Sequence, residues 1–250
     1  LTLGTGGILM TNANRDFTIN CLVVIGGAQT WDIASGRTLN FAGSATISGS
    51  ATITKAGTGA LQPQISGSPF TGKWIVTAGQ ARFSADTCLG AVPASYTADA
   101  ITLNGGTLMN RDSDTVLAAN RGITLGASGG SLQVGWGRYL TINGIIAGSG
   151  GLTMLGDSTP GRAYLTAVNT YTGPTTVNGA GWLVVNGSLA AASAVTVRDN
   201  GYLGGTGTVN GNISLDAGGV LGGGDLRAAG TLTINNNLSL GSGAVLHCDL

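Results

Sequence analysis

Ile101-Thr102-Leu103-Asn104-Gly105-Gly106-Thr107-Leu108-Met109 reads as two short alternating runs separated by a Gly-Gly step. The same pattern stands about a hundred residues earlier, as Leu1-Thr2-Leu3-Gly4-Thr5-Gly6-Gly7-Ile8-Leu9-Met10. Ser35-Gly36-Arg37-Thr38-Leu39 likewise returns as Trp136-Gly137-Arg138-Tyr139-Leu140, and Phe70-Thr71-Gly72 through Val76 as Tyr171-Thr172-Gly173 through Val177. A third start, Val195-Thr196-Val197 to Gly201-Tyr202-Leu203, follows. Self-similarity on this scale marks a solenoid, in which each unit buries its apolar face against its neighbours. The copies run over approximately 1–100 and 101–194, with a partial one over 195–250, and form one body without an internal domain boundary.

Composition selects the kind of solenoid. All 11 acidic residues are aspartate, and Lys55 and Lys73 are the sole lysines. Glu and Lys normally populate exposed helical faces, so their scarcity beside abundant Thr, Val, Ile, Gly and Asn predicts strands and tight turns throughout. Period-two alternation confirms the direction: Leu39 and Phe41, Leu140 and Ile142, Val195 and Val197, Ile213 and Leu215, and Leu238 and Leu240 alternate with polar residues. Each run stops after a few residues at a Gly-containing step. The 45 glycines lack the every-third spacing of collagen, and 42% apolar content with 9% charge supplies surface enough to bury. A propeller wants a blade-length period with aromatic signatures, which is absent. The expected fold is all-β, a right-handed parallel β-helix, a single elongated rod of about a dozen coils roughly 55 Å long.

Several function classes fall away on charge and hydropathy. The formal net charge is zero and the nine arginines are scattered from Arg15 to Arg227, so no nucleic-acid footprint exists. No apolar run is long enough for a membrane helix, and the aromatic girdles of an outer-membrane barrel are missing, so direct membrane insertion is not expected. Cys21, Cys88 and Cys248 form neither a metal pair nor a disulfide framework and are expected as small buried side chains, with Cys248 open to a partner outside the segment. Strand-like runs at both ends suggest a piece of a longer chain.

The C-terminal half carries a family resemblance. Asn143-Gly144-Ile145-Ile146-Ala147-Gly148-Ser149-Gly150-Gly151-Leu152-Thr153 and Asn169-Thr170-Tyr171-Thr172-Gly173-Pro174-Thr175-Thr176-Val177-Asn178-Gly179 are similar to the autotransporter-associated β-strand repeat. Leu183 to Ser188, Gly204 to Gly211 and Gly230 to Ala244 fit the same type, and a degenerate copy runs from Thr54 to Gly72. The resemblance covers roughly residues 36–250. It implies a secreted β-helix of autotransporter passenger type, a scaffold rather than one activity. Two departures stand out: no translocating barrel is in this sequence, and Ala180-Gly181 reads as an extra residue in the usual strand-turn.

A search for chemistry returns little. A glycoside hydrolase needs two facing carboxylates and a lyase a cation-holding acidic cluster with a base. The one dense acidic spot is Arg111-Asp112-Ser113-Asp114, expected as a solvated turn. The Gly156-Asp157-Ser158 stretch superficially resembles a serine-hydrolase nucleophile, but the single histidine, His247, lies coils away. Gly222-Gly223-Gly224-Asp225-Leu226 shows the calcium nonapeptide pattern once, where tandem copies are needed. Gly204-Gly205-Thr206-Gly207 lacks the lysine and helix of a phosphate loop. No catalytic, metal or cofactor residues are assigned. Trp31 with Trp136, and Trp74 with Trp182, fall near equivalent points of the copies and are expected to be structural and buried, with sugar platforms as the alternative.

Three functions remain. The first is a secreted or surface-displayed β-helical stalk or adhesin scaffold, its loops at Gln62 to Pro69, Cys88 to Ala100 and Asp157 to Ala163 meeting host or matrix glycan or protein surfaces. The second is a filament built head to tail through open β-helix ends. The third is a carbohydrate-active β-helix enzyme, disfavoured by the missing Glu and dispersed Asp.

Overall fold

The computed structural model describes residues 1–65, 67–156 and 159–248. Short strands follow one another without a single α-helix among them; one 3-10 turn, Asp86–Leu89, interrupts the series. Every ladder pairing between strands is parallel. One ladder of 11 strands, from Phe17–Ile19 to Leu238–Leu240, takes one strand from each coil and runs the length of the body. At one strand spacing per coil it is roughly 48 Å long. The solenoid expected from the repeats is thus present, with eleven coils.

Two other sides complete each coil. An early ladder of seven strands runs from Ile8–Met10 to Ile146–Gly148, and a late ladder of seven runs from Thr115–Leu117 to Val245–His247. Three-stranded ladders sit at the two ends. The opening one holds Thr2–Leu3, Leu22–Ile25 and Thr46–Gly49, the closing one Ser188–Leu189, Thr208–Val209 and Thr233–Ile234. Alternation turns every second side chain inward, where like stacks on like: Ile101 pairs with Ile123 and that with Ile146, and Leu108 pairs with Leu132. All of these are buried. The early coils are filled by aromatics, with Trp31 stacked on Phe41 at 5.3 Å and Phe70 packed against Trp74 at 5.3 Å.

The sequence copies correspond strand by strand, but each strand moves one ladder on. Thr2–Leu3 of the opening ladder matches Thr102 and Leu103 in the early ladder, Ile8–Met10 of the early ladder matches Thr107–Asn110 in the long one, and Thr38–Phe41 of the long ladder matches Tyr139–Ile142 in the late one. One copy therefore occupies four coils and one further side. This overturns the expected pairing of tryptophans. Trp31 lies within Gln29–Ile33, whose counterpart is Gly130–Val134, while Trp136 sits in an exposed corner. Trp74 opens the strand Trp74–Val76, whose counterpart is Thr175–Asn178, while Trp182 lies one strand further on, in Trp182–Val185.

Corners are β-turns stacked one on another. Gly181 N–H donates to Asn178, Gly201 N–H to Arg198 and Gly219 N–H to Asp216, at 3.1, 2.8 and 3.0 Å. Ala180 at φ 60° is matched one coil on by Asp199 and Asn200 at 54° and 64°. The corner keeps the same four-residue turn in these three successive coils.

Where a ladder breaks off, buried polar side chains take over its hydrogen bonding. Early-ladder pairing ends at Ile146–Gly148. There Asn169 Oδ1 accepts the Ile146 N–H at 2.9 Å, and its Nδ2 donates to Ala167 and Ser188 carbonyls at 2.9 and 3.1 Å. Beside it the Tyr171 hydroxyl meets Thr175 Oγ1 at 2.6 Å, which meets Ser193 Oγ at 2.8 Å. Burial pushes the Tyr171 phenol above its ordinary range, against those two hydroxyls. The opening ladder ends at Thr46–Gly49, and Ser68 Oγ there bonds both the Ile47 N–H and its carbonyl. One coil further, Arg121 Nε donates to Asp86 at 2.6 Å, and its fork reaches the Gly90 and Ala91 carbonyls. Asn120 Nδ2 holds the Pro93 carbonyl at 3.0 Å, so the loop after the 3-10 turn is pinned at several points.

Other expectations need correction. The loop placed at Gln62 to Pro69 begins inside the buried strand Ala60–Pro63, and Ala100 and Ala163 lie within the strands Thr97–Leu103 and Arg162–Leu165, because all three segments pair into parallel ladders with neighbouring coils. Cys88 is buried, but Cys21 and Cys248 are exposed at corners and coil ends where side chains point outward. Lys55 was unexpected in the interior: it is fully buried on the inward row, and its ammonium donates to the Ala56, Gly57 and Ala78 carbonyls at 2.8, 2.7 and 3.1 Å.

Leu103, with 0% exposure, tests the inward assignment. Leu103→Asp strands a charge in the stack and is expected to cost about 3–5 kcal/mol, read from chemical denaturation; unaltered unfolding would show the row faces out. Asn169→Leu adds apolar surface yet is expected to destabilise by about 1–3 kcal/mol, since the Ile146 N–H is left buried without an acceptor. Burial lowers the Lys55 pKa from 10.5 to about 8, with Asp32 opposing. Between those two pH values the unfolded chain binds more protons, so Lys55 makes stability rise with pH across the window, its cost being fully present below it. Comparing thermal melting of the wild type with Lys55→Met from pH 8 to 10.5 should show the wild type gaining on the variant.

Candidate functional site

Two outward-facing constellations rise above the Thr, Ser and Gly background. The first lies at the corner leaving the long ladder. Arg138 N–H closes the turn onto the Gly135 carbonyl at 2.9 Å, and Gly137 takes φ 64°, which lifts Trp136 into solvent at 68% exposure. Met109, Arg111, Asp112, Gly135, Trp136 and Arg138 line a cleft of about 360 Å³. Arg111 is held by Gln62 Oε1 at 2.6 Å and faces Asp112 at 3.5 Å, while the Arg138 guanidinium makes no ion pair among the described residues. Burial and the neighbouring Arg111 charge lower the Arg82 pKa beneath this corner, with Asp16 and Asp112 opposing. The cleft brings an exposed indole together with two arginines, a combination suited to a flat or anionic partner.

Asp112 and Asp114 have separate partners: Asp112, in a bend, pairs with Arg111, and Asp114 Oδ1 accepts the Tyr139 N–H at 3.1 Å. Asp16 does the same for Thr38 at 2.9 Å in the first copy. Each supplies a coil with an acceptor that the strand before it does not provide.

The second constellation runs along the late ladder. Tyr139, Arg162, Trp182 and Tyr202 stand in register on four successive coils, with Tyr164 two residues after Arg162. The Arg162 guanidinium lies 4.1 Å from the Trp182 ring centroid and 5.3 Å from that of Tyr139. Its Nη1 donates to the Tyr139 hydroxyl at 3.0 Å. Trp182 packs on Tyr202 at 5.1 Å, and Tyr139 on Tyr164 at 6.0 Å.

Residues 223–230, in the connection between the strands Val220–Gly222 and Thr233–Ile234, fold back over this row. Asp225 Oδ2 accepts the Tyr164 hydroxyl at 2.8 Å, and Arg227 lies over the Tyr139 ring at 5.4 Å, with its Nη1 donating to that hydroxyl. Burial pushes the Tyr164 phenol up, and the Asp225 hydrogen bond and charge add to it. Burial alone would raise Asp225, but the Tyr164 hydroxyl, the Arg227 and Ala228 N–H groups and the Arg162 charge hold it below its ordinary value. Asp225 therefore serves the fold-back loop, and among the described residues no group of three His, Cys, Asp or Glu is placed to hold a metal.

Asp157 and Ser158 lie outside the described residues. His247 ends the exposed strand Val245–His247. Sequence reasoning singled out Trp136 and Trp182 but missed Tyr139, Arg162 and Tyr164. The signal was an aromatic or arginine heading four successive late-ladder strands about twenty residues apart, a spacing hidden beneath the longer copy.

No protein-family model matches the chain, and no solved structure matches it. It is similar to the adhesin BmaC autotransporter of Brucella suis biovar 1 (strain 1330), 36% identical over 180 residues. The overlap covers 70% of this chain, which spans 5% of that relative's length. The likeness is to an adhesin and lends the filament reading no support. Among the described residues no helix is long and apolar enough to cross a membrane.

Proposed function

We propose that this chain, an autotransporter passenger-like β-helix by its fold and by its likeness to the Brucella adhesin, is a structural stretch of a secreted or surface-displayed adhesin whose corners carry recognition. The observation that supports this most directly is the Trp136 corner. A solenoid surface of small polar residues presents few anchors, whereas an exposed indole beside Arg138 and Arg111 offers area, a cation and a fixed turn beneath both. The loop after the 3-10 turn adds Val92 and Tyr96, 44% and 45% exposed, on a backbone pinned by Asn120 and Arg121. Rigid loops on a stiff rod lose little entropy when they bind, which suits adhesion to host or matrix glycan or protein surfaces.

Displayed on a non-adherent bacterium, the chain should confer attachment to a matrix-coated surface. Trp136→Ala with Arg138→Ala is expected to reduce attachment about tenfold or more, the scale of a central anchor, with thermal melting unchanged. Undiminished attachment by a folded double variant would remove the corner from the reading.

A further inference from the structure

The covered row on the late ladder presents a contradiction in its own terms. Arg162 is a full cation at 6% exposure, yet its only hydrogen bond among the described residues is the one from Nη1 to the Tyr139 hydroxyl, and it takes part in none of their ion pairs. Its Nε is buried with no partner. The other buried arginine, Arg121 at the head of the strand Arg121–Leu125, has a carboxylate at 2.6 Å and backbone carbonyls besides. A buried guanidinium normally carries such acceptors, because leaving its donors empty costs more than the pairing returns. Arg162 instead has aromatic rings on two sides, Trp182 and Tyr139. Aromatic walls around a cation fork suit a molecule with apolar C–H faces and one carboxylate.

The loop over the row brings a carboxylate of its own. Asp225 engages Tyr164, one strand position away on the same outward row as Arg162, and feels the Arg162 charge without forming an ion pair with it. Its other oxygen is tied up by the loop's own N–H groups of Arg227 and Ala228 at 3.0 Å each, so the loop is pre-shaped around the acid.

We propose that Tyr139, Arg162, Tyr164 and Trp182 form a binding site for a carboxylated sugar, and that residues 223–230 close it, with Asp225 standing where the ligand's carboxylate would lie. When the loop lifts, the ligand carboxylate takes the Arg162 Nε and the Tyr164 hydroxyl, and the pyranose C–H face packs on the Tyr139 ring that Arg227 vacates, while Trp182 backs the guanidinium. The site is separate from the Trp136 corner and does not rest on its role.

The test is isothermal titration of the folded chain with galacturonic acid oligomers, with poly-aspartate as the non-sugar acid. Asp225→Asn keeps the loop's Oδ1 acceptor and removes the competing charge, and is expected to tighten oligogalacturonate binding on the order of tenfold. Adding Arg162→Gln to that variant is expected to abolish the gain. Should that variant fail to fold, Arg162→Lys replaces it, because a lysine keeps the charge and loses the planar fork. Unchanged affinity in Asp225→Asn would overturn the proposal, as would binding that survives the Arg162 change. Equal binding of poly-aspartate would overturn the assignment to a sugar. Loss of thermal stability in Asp225→Asn with no gain in affinity would make the loop a structural clasp and nothing more.

Discussion

Everything in this molecule depends on the backbone of each coil being hydrogen-bonded to the coils beside it. Among the described residues no α-helix satisfies its own amides locally, and a buried amide without a partner is expensive. The long ladder meets this demand in every coil. The other two sides are interrupted, at different heights, and there the buried side chains stop being apolar. Ser68, Asn110, Thr115 and Arg121 gather near one interruption, Asn169, Thr175 and Ser193 at the other. Side-chain amides, hydroxyls and a guanidinium replace the missing strand, so the polar interior is a repair of the ladder rather than a reaction centre.

That reasoning also explains the stretch that most resembles the autotransporter-associated repeat. Asn169-Thr170-Tyr171-Thr172-Gly173 is recognisable because it does two jobs in one short piece. Thr170 and Thr172 continue the backbone pairing to Ile146 and Gly148, while Asn169 and Tyr171 turn inward to stitch the break. Its degenerate earlier form keeps the pairing, with Thr71 on Gly49, but substitutes Ser68 and Phe70 for the inward pair. A hydroxyl suffices there for the Ile47 N–H, and Phe70 completes the aromatic packing with Trp74.

The fold was legible in the sequence because alternation and Gly-bearing corners are local signals that each coil must repeat. Leu39 with Phe41 and Leu140 with Ile142 announce their inward faces unaided. Contents of the outward surface were less legible. Lys55 sits at an inward position that the alternation assigns to an apolar residue, and only the nearby corner carbonyls make it tolerable. The Tyr139–Arg162–Trp182 row required knowing which strands stack, and the fold-back of residues 223–230 could not be read from the glycines alone. Asp225 was visible as part of a glycine-rich run, but its partner lies 61 residues away along the chain.

The one-ladder advance between copies has a geometric consequence. Because a copy occupies four coils and one further side, residues that correspond in sequence leave the rod in different directions. The Gly36 corner and the Gly137 corner are the same turn, yet they belong to different edges of the prism. Duplication of such a unit therefore multiplies directions as well as numbers. Each new copy turns a familiar corner toward a fresh quarter of the surroundings, as the steps of a spiral stair do, and a rod grown in this way meets its environment all around its circumference.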